Sequence, residues 1–256
     1  MKLVDGYVRS PLAGLAPWIL MAIVNGPGRF EEAASAALGL SLLTLWVGKR
    51  RGVPVHLLEA FTVAYFGLLA VLGLVASDAT IEWLALWAGE LSNIALAAFA
   101  LITLAIRRPF TLAYAKDTAP REYWDSPVFL RVNYVISAVW AGSFLFSALL
   151  GAYADAVLHD NDNFWTAWIL PIGAMIFAVS FTEFYPDHAT GESSATWARA
   201  FDWLPPFVVV TGIVGWVSDA LPDVPAVALI VVGVLGSAAM RKFFPDDQTA
   251  KLTEQQ

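Results

Sequence analysis

Residues 83–106 read WLALWAGELSNIALAAFALITLAI, residues 107–131 read RRPFTLAYAKDTAPREYWDSPVFLR, and residues 132–154 read VNYVISAVWAGSFLFSALLGAYA. The first segment has 24 residues and one charge, Glu90; the third has 23 residues and none. At about 1.5 Å per residue each makes a helix long enough to cross a hydrocarbon core of about 30 Å. The connection between them carries five cations, Arg107, Arg108, Lys116, Arg121 and Arg131. Cytoplasmic connections of membrane proteins are enriched in Lys and Arg, so this loop is assigned to the cytoplasmic side. Every other segment can be placed from that assignment.

Outward from this core, the chain repeats the same alternation. Apolar runs are expected as spans at 12–24, 33–48, 57–76, 164–182, 203–218 and 224–240, which with the central two makes eight. The first run follows Lys2 and Arg9 and has the length of a signal-peptide core, but Asn25 to Gly28 supplies a turn and not a small-x-small cleavage site. It is read as a short first span helped across by Trp18 and its flanks, paired with an equally short second one. With both termini cytoplasmic, 14 of the 15 Lys and Arg fall inside and only Arg29 outside. Outer loops collect Glu31, Glu32, Asp78, Glu82, Asp155, Asp160, Asp162, Asp219 and Asp223. That segregation supports the orientation. Trp46, Trp83, Trp165, Trp203 and Trp216 fall near span ends, where an aromatic belt sits.

The fold class expected is therefore all-α, a polytopic transmembrane bundle of about eight spans with both termini cytoplasmic. Mean hydropathy of +0.64 and 58% hydrophobic residues exclude a soluble globular domain, and continuous apolar runs exclude a barrel. No cysteine is present, which removes disulfides, thiolate catalysis and zinc–thiolate or iron–sulfur sites. No span carries a lysine, which argues against a retinal Schiff base. Residues 1–185 are expected as a six-span region and 186–202 as a cytoplasmic loop. A closing hairpin at 203–242 and a disordered cytoplasmic tail at 243–256 complete the chain.

Glu90 is the only acid well inside a span, with Asn93 three residues on and on the same face. A carboxylate in hydrocarbon is costly and marks either a proton or cation site or a hydrogen-bonded contact between helices, with Ser143 or Ser147 at similar depth. Glu59, near the cytoplasmic start of the third span, is expected to pair with Arg107, Arg108 or Arg131. Asn133, Ser137 and Trp140 lie on one helix face and read as packing residues. His56, His159 and His188 are scattered. Asp155, His159, Asp160 and Asp162 read as a solvated acidic turn, without the spacing of a metal site. No catalytic constellation, cofactor motif or phosphate loop is found. The aromatic and basic loop, with Arg107, Arg108, Pro109, Tyr114, Lys116, Arg121, Trp124 and Arg131, reads as an interfacial segment meeting anionic lipid, not nucleic acid.

The run Arg107-Arg108-Pro109, Trp124, then Arg131-Val132-Asn133 with Trp140 beyond, resembles the intracellular septation protein A family of bacterial inner-membrane proteins. The likeness extends over residues 10–185, and the hairpin after Asp202 is additional. The resemblance implies a multi-pass inner-membrane protein acting without catalysis at the cell envelope and in division, through protein or lipid partners. The alternative expectation is a small-solute or ion transporter or channel using Glu90 and Asn93.

Overall fold

The structure is a computed structural model describing residues 11–26, 28–160, 162–191 and 196–244; of the tail expected at 243–256, Phe243 ends a helix and residues 245–256 lie outside the described residues, as do the cations Lys2 and Arg9. Among the described residues the chain is helical throughout, without strands. Nine α-helices are described: α1 Pro11–Val24, α2 Phe30–Arg50, α3 Leu57–Val75, α4 Asp78–Ala105, α5 Thr111–Thr118, α6 Pro127–Tyr153, α7 Leu170–Thr190, α8 Leu204–Val217 and α9 Asp223–Phe243. π-helical turns at Ala154–Leu158 and Phe164–Ile169 extend α6 and lead into α7, and a 3₁₀ turn at Trp197–Phe201 precedes α8.

Among the described residues seven helical stretches are long and apolar enough to cross a membrane: the four containing α2, α3, α4 and α6, and the three containing α7, α8 and α9. The remaining expected span, α1, has 14 helical residues among those described. Trp18 does not flank it as an interfacial anchor: the ring is buried, donates its indole N–H to Thr62 Oγ1 at 2.9 Å, and stacks on Tyr65 at 4.6 Å. The second expected span, in turn, is not short. Helix α2 takes in Glu31 and Glu32 in its first turn and Lys49 and Arg50 in its last, a charge order that suits the helix dipole.

By contacts the chain divides into two compact units, residues 1–151 and 152–256. In the first, α1 to α4 and α6 run alternately up and down. At one end Gly14 of α1 abuts Leu58 of α3 and Tyr114 of α5, and α5 in turn meets the start of α6. At the other, Asn25 Nδ2 donates to the Ala85 carbonyl at 2.8 Å, and Gly73 abuts Glu31. The basic residues Lys49, Arg107, Lys116 and Arg131 thus belong to one end, and Glu31, Asp78 and Glu82 to the opposite end. Apolar side chains such as Leu74 and Val75 remain outward-facing, as lipid permits.

The second unit is built on close backbone approach. A Cβ at Gly212 of α8 would lie 2.7 Å from the Ala226 carbonyl of α9, and one at Gly233 of α9 would lie 2.7 Å from the Pro205 carbonyl. Helices that cannot use hydrophobic expulsion from water associate through such small-residue contacts. Pro171 lies where the π-helical run Phe164–Ile169 passes into α7 within one helical stretch, Phe164–Thr190. Helix α7 then runs to Thr190 and stops at Gly191, with φ +81°, so the first residues of the expected loop at 186–202 are helix. Trp168 and Trp216 each donate their indole N–H to an acid, Asp162 at 2.7 Å and Asp223 at 2.9 Å.

Candidate functional site

The basic end of the first unit is closed by a re-entrant hairpin. Helix α4 ends in a Schellman turn, with Arg108 N–H donating to the Thr103 carbonyl at 2.8 Å and Arg107 N–H to Leu104 at 3.0 Å. Arg107 occupies the left-handed position, φ +59°, where glycine is the usual choice. That turn sends Pro109 and Phe110 back into the bundle, where both are buried and Phe110 meets the Phe99 ring. Thr111 opens α5 against α6: its hydroxyl donates to the Asn133 carbonyl at 3.0 Å and lies 2.9 Å from Ser137 Oγ. The face Asn133, Ser137, Trp140 is buried, and its first two members are what α5 rests on. Asn133 spends its own amide on the Phe129 carbonyl one turn back.

Tyr114 is the centre of a group that sequence reasoning did not assemble. Its hydroxyl donates to Glu59 Oε1 at 2.6 Å, and its ring stacks on His56 with centroids 4.3 Å apart. Glu59 Oε2 accepts the His56 backbone N–H at 2.9 Å and lies 3.6 Å from His56 Nδ1. On the other side of the imidazole, Nε2 lies 2.9 Å from Asp117 Oδ2. Four polar side chains from α5 and the start of α3 therefore meet around one buried ring. Burial by itself works against charge on His56, but hydrogen bonding and attraction from Glu59, then attraction from Asp117, outweigh it and raise its pKa above 6.5. For Tyr114, burial and the neighbouring Glu59 carboxylate push the hydroxyl up, so it stays a donor. A small pocket lined by Lys49 and Gly48 of α2, Ala13 of α1 and Pro54 reaches Glu59 from outside. Among the described residues no three His, Asp or Glu side chains are placed to hold a metal ion together.

Two expectations change here. Glu59 is held by His56 and Tyr114, and not by an arginine, because the turn after α4 leaves Arg107 and Arg108 exposed while α5 folds Tyr114 inward. Tyr114 and Pro109 are buried and so are not part of an exposed docking surface. The basic loop does not lie flat as an interfacial segment; its Phe110–Tyr114 face belongs to the core. What remains exposed is a rim of Arg107, Arg108, Arg121 and Arg131, with Lys116 half-buried. Trp124 lies beside two of the cations, with Lys116 5.1 Å and Arg121 5.6 Å from its ring centroid, and its indole N–H on the Ala119 carbonyl.

Glu90 and Asn93 each have a close neighbour apart from the other. Asn93 Nδ2 donates to the Gly89 carbonyl of its own helix at 3.1 Å. The Glu90 carboxyl is packed against Gly151 of α6 so closely that a Cβ built there would collide with it. Ser147 turns its hydroxyl to the Ser143 carbonyl, one turn back on α6. The acidic turn in the second unit is likewise occupied internally: Asp160 accepts from Asn163 Nδ2, and Asp162 from Trp168.

No family model, no curated protein and no solved structure matches this chain.

Proposed function

We propose that this is a multi-pass protein of the bacterial inner membrane that works without catalysis, as a docking platform for anionic lipid and for envelope or division membrane proteins. The reading keeps the resemblance to intracellular septation protein A and places both termini and the basic end in the cytoplasm. The observation that carries it is the cationic rim beside Trp124. Its arginines are exposed, while the hairpin that bears them is pinned into the bundle through Phe110, Thr111 and Tyr114. A rigid base with free cations at the headgroup level is what recognition of anionic lipid requires, each cation contributing on the order of 1 kcal/mol. The transport reading through Glu90 and Asn93 has less support, because Gly151 leaves no room beside the carboxyl for even one methyl group.

The absence of native cysteine makes the test direct. Asp125→Cys, next to Trp124, carries a fluorophore on the full-length protein in nanodiscs, with a trace of quencher-labelled phosphatidylglycerol or phosphatidylcholine. Quenching by the anionic lipid should exceed that by the zwitterionic one at low salt. The excess should fade at high salt and in the triple variant Arg107→Gln, Arg108→Gln, Arg121→Gln. Equal quenching by the two lipids at low salt overturns the lipid-docking role.

A further inference from the structure

We propose that His56 is a proton-binding latch: when doubly protonated, between Glu59 of its own helix and Asp117, it ties the last turn of α5 to the start of α3, and loss of its proton frees that turn beyond Tyr114. The geometry of the ring carries the argument. Both imidazole nitrogens are buried and each faces a carboxylate, Nε2 toward Asp117 at 2.9 Å and Nδ1 toward Glu59 at 3.6 Å. A neutral imidazole has one N–H and one lone pair. In the neutral tautomer protonated at Nδ1 the Nε2 lone pair lies 2.9 Å from Asp117; in the other, Nδ1 is placed to cap the Glu59 backbone N–H but keeps the Glu59 carboxylate 3.6 Å away. Only the imidazolium offers a proton to both sides.

The charged and titratable groups around the ring reinforce this choice. From its own helix comes Glu59; from α5 come Asp117 and the Tyr114 hydroxyl, which donates to Glu59 and stacks on the imidazole. From α2, Lys49 lines the pocket that opens on Glu59. Helix α1 contributes Ala13 and Gly14, with no titratable group. Removing the His56 proton leaves Glu59 and Asp117 on either side of an uncharged ring. The least costly relief is for the last turn of α5, beyond the anchored Thr111 and Tyr114, to move Asp117 out to water.

The sign follows from the raised pKa. Stabilisation of the docked α5 is complete below the free imidazole value of 6.5 and is lost as pH rises through the higher value in the folded protein. Acidification closes the latch, and alkalinisation opens it. Because α5 carries Lys116 and leads directly to Arg121 and Trp124, the latch would set how the cationic rim is presented. That last step rests on the docking function proposed above; the latch itself does not.

The test uses the full chain in neutral phosphatidylcholine nanodiscs with Thr118→Cys, at the exposed end of α5, bearing a nitroxide. Spin-label mobility is followed from about pH 5 to about pH 9, a range that brackets any ordinary histidine. The mobile component should be under about a tenth of the signal at the acid end and become the major one as pH rises past the His56 value. His56→Gln should abolish the transition. Asp117→Asn, which keeps the ring and removes one of the two carboxylates that hold its proton, should move the midpoint to lower pH. A label whose mobility is flat with pH in the parent protein overturns the latch, as does a transition that persists in His56→Gln. If His56→Gln does not fold, an unmoved midpoint in Asp117→Asn overturns it equally. Repeating the series with anionic nanodiscs separates the two proposals, since the latch must operate in neutral lipid where the rim has nothing to dock to.

Discussion

Gly151 and Glu90 meet across α4 and α6 with no space between them, which gives the sole carboxylate well inside a span the role of a wedge. Glu90→Gln keeps the shape and the hydrogen-bonding capacity, so folding in detergent and the phenotype should both stay at parent levels. Glu90→Ala should lose about 0.6 to 2 kcal/mol, the range of an interhelical polar contact. Gly151→Ala should cost about 1 to 3 kcal/mol as an overpacked interface, although it adds one methyl group. Thermal unfolding of the three variants by circular dichroism checks the order. A folded Glu90→Gln protein with a null phenotype would instead make proton or cation handling the leading function. Glu90 was legible in the sequence, because one charge in 24 apolar residues stands out. Gly151 was not, because a glycine declares its neighbour only once the helices are placed.

At the scale of single elements, α5 shows where linear reading stops. An eight-residue helix in a basic, aromatic loop has the composition of an interfacial segment. Composition cannot distinguish that from a hairpin tucked beneath the bundle. The available signal was spacing: His56 and Glu59 are separated by three residues, as are Tyr114 and Asp117, and both pairs lie at cytoplasmic ends in the predicted topology. Residues three apart share a helix face, so two such pairs at one level could have been matched. Treating His56 as one of three scattered histidines concealed that match. The hairpin of α8 and α9 is a second case. Its turn and its apolar length were plain, yet the backbone contact at Gly212 was not. Gly212→Ala must push α9 away from the Ala226 carbonyl, since a backbone atom cannot rotate aside. The expected result is a loss of about 1 to 3 kcal/mol, read as easier unfolding on titration with a denaturing detergent. Gly39→Ala in α2, where a Cβ would meet nothing, serves as the silent control.

For the whole molecule, the spans were the most legible feature because the bilayer imposes length and apolarity on each one separately. What the pattern misjudged were ends: charged residues that finish α2 were taken for loop, and α7 continued through residues 183–190 that looked polar enough to stop it. Orientation rests on charge distribution and is open to direct measurement. Reporter fusions after Arg51, Lys116, Thr190 and Lys251 should report cytoplasm, and fusions near Arg29, Asp78, Asp160 and Asp223 should report the outside. One clean reversal at Arg51, Asp78, Lys116 or Asp160 would defeat the eight-span arrangement.

Helix α1 has a consequence for biogenesis. The fourteen described residues of α1 reach about 21 Å, against a hydrocarbon core of about 30 Å. Its indole donor is satisfied by Thr62 and its aromatic stack by Phe61, Tyr65 and Phe66, all on α3. The ribosome therefore releases α1 more than thirty residues before the partners that complete it. Until then a polar indole must be sheltered at the translocon or at the bilayer surface. Helix α1 therefore reaches its final packing only once α3 has followed it, while the rest of the chain is still being made.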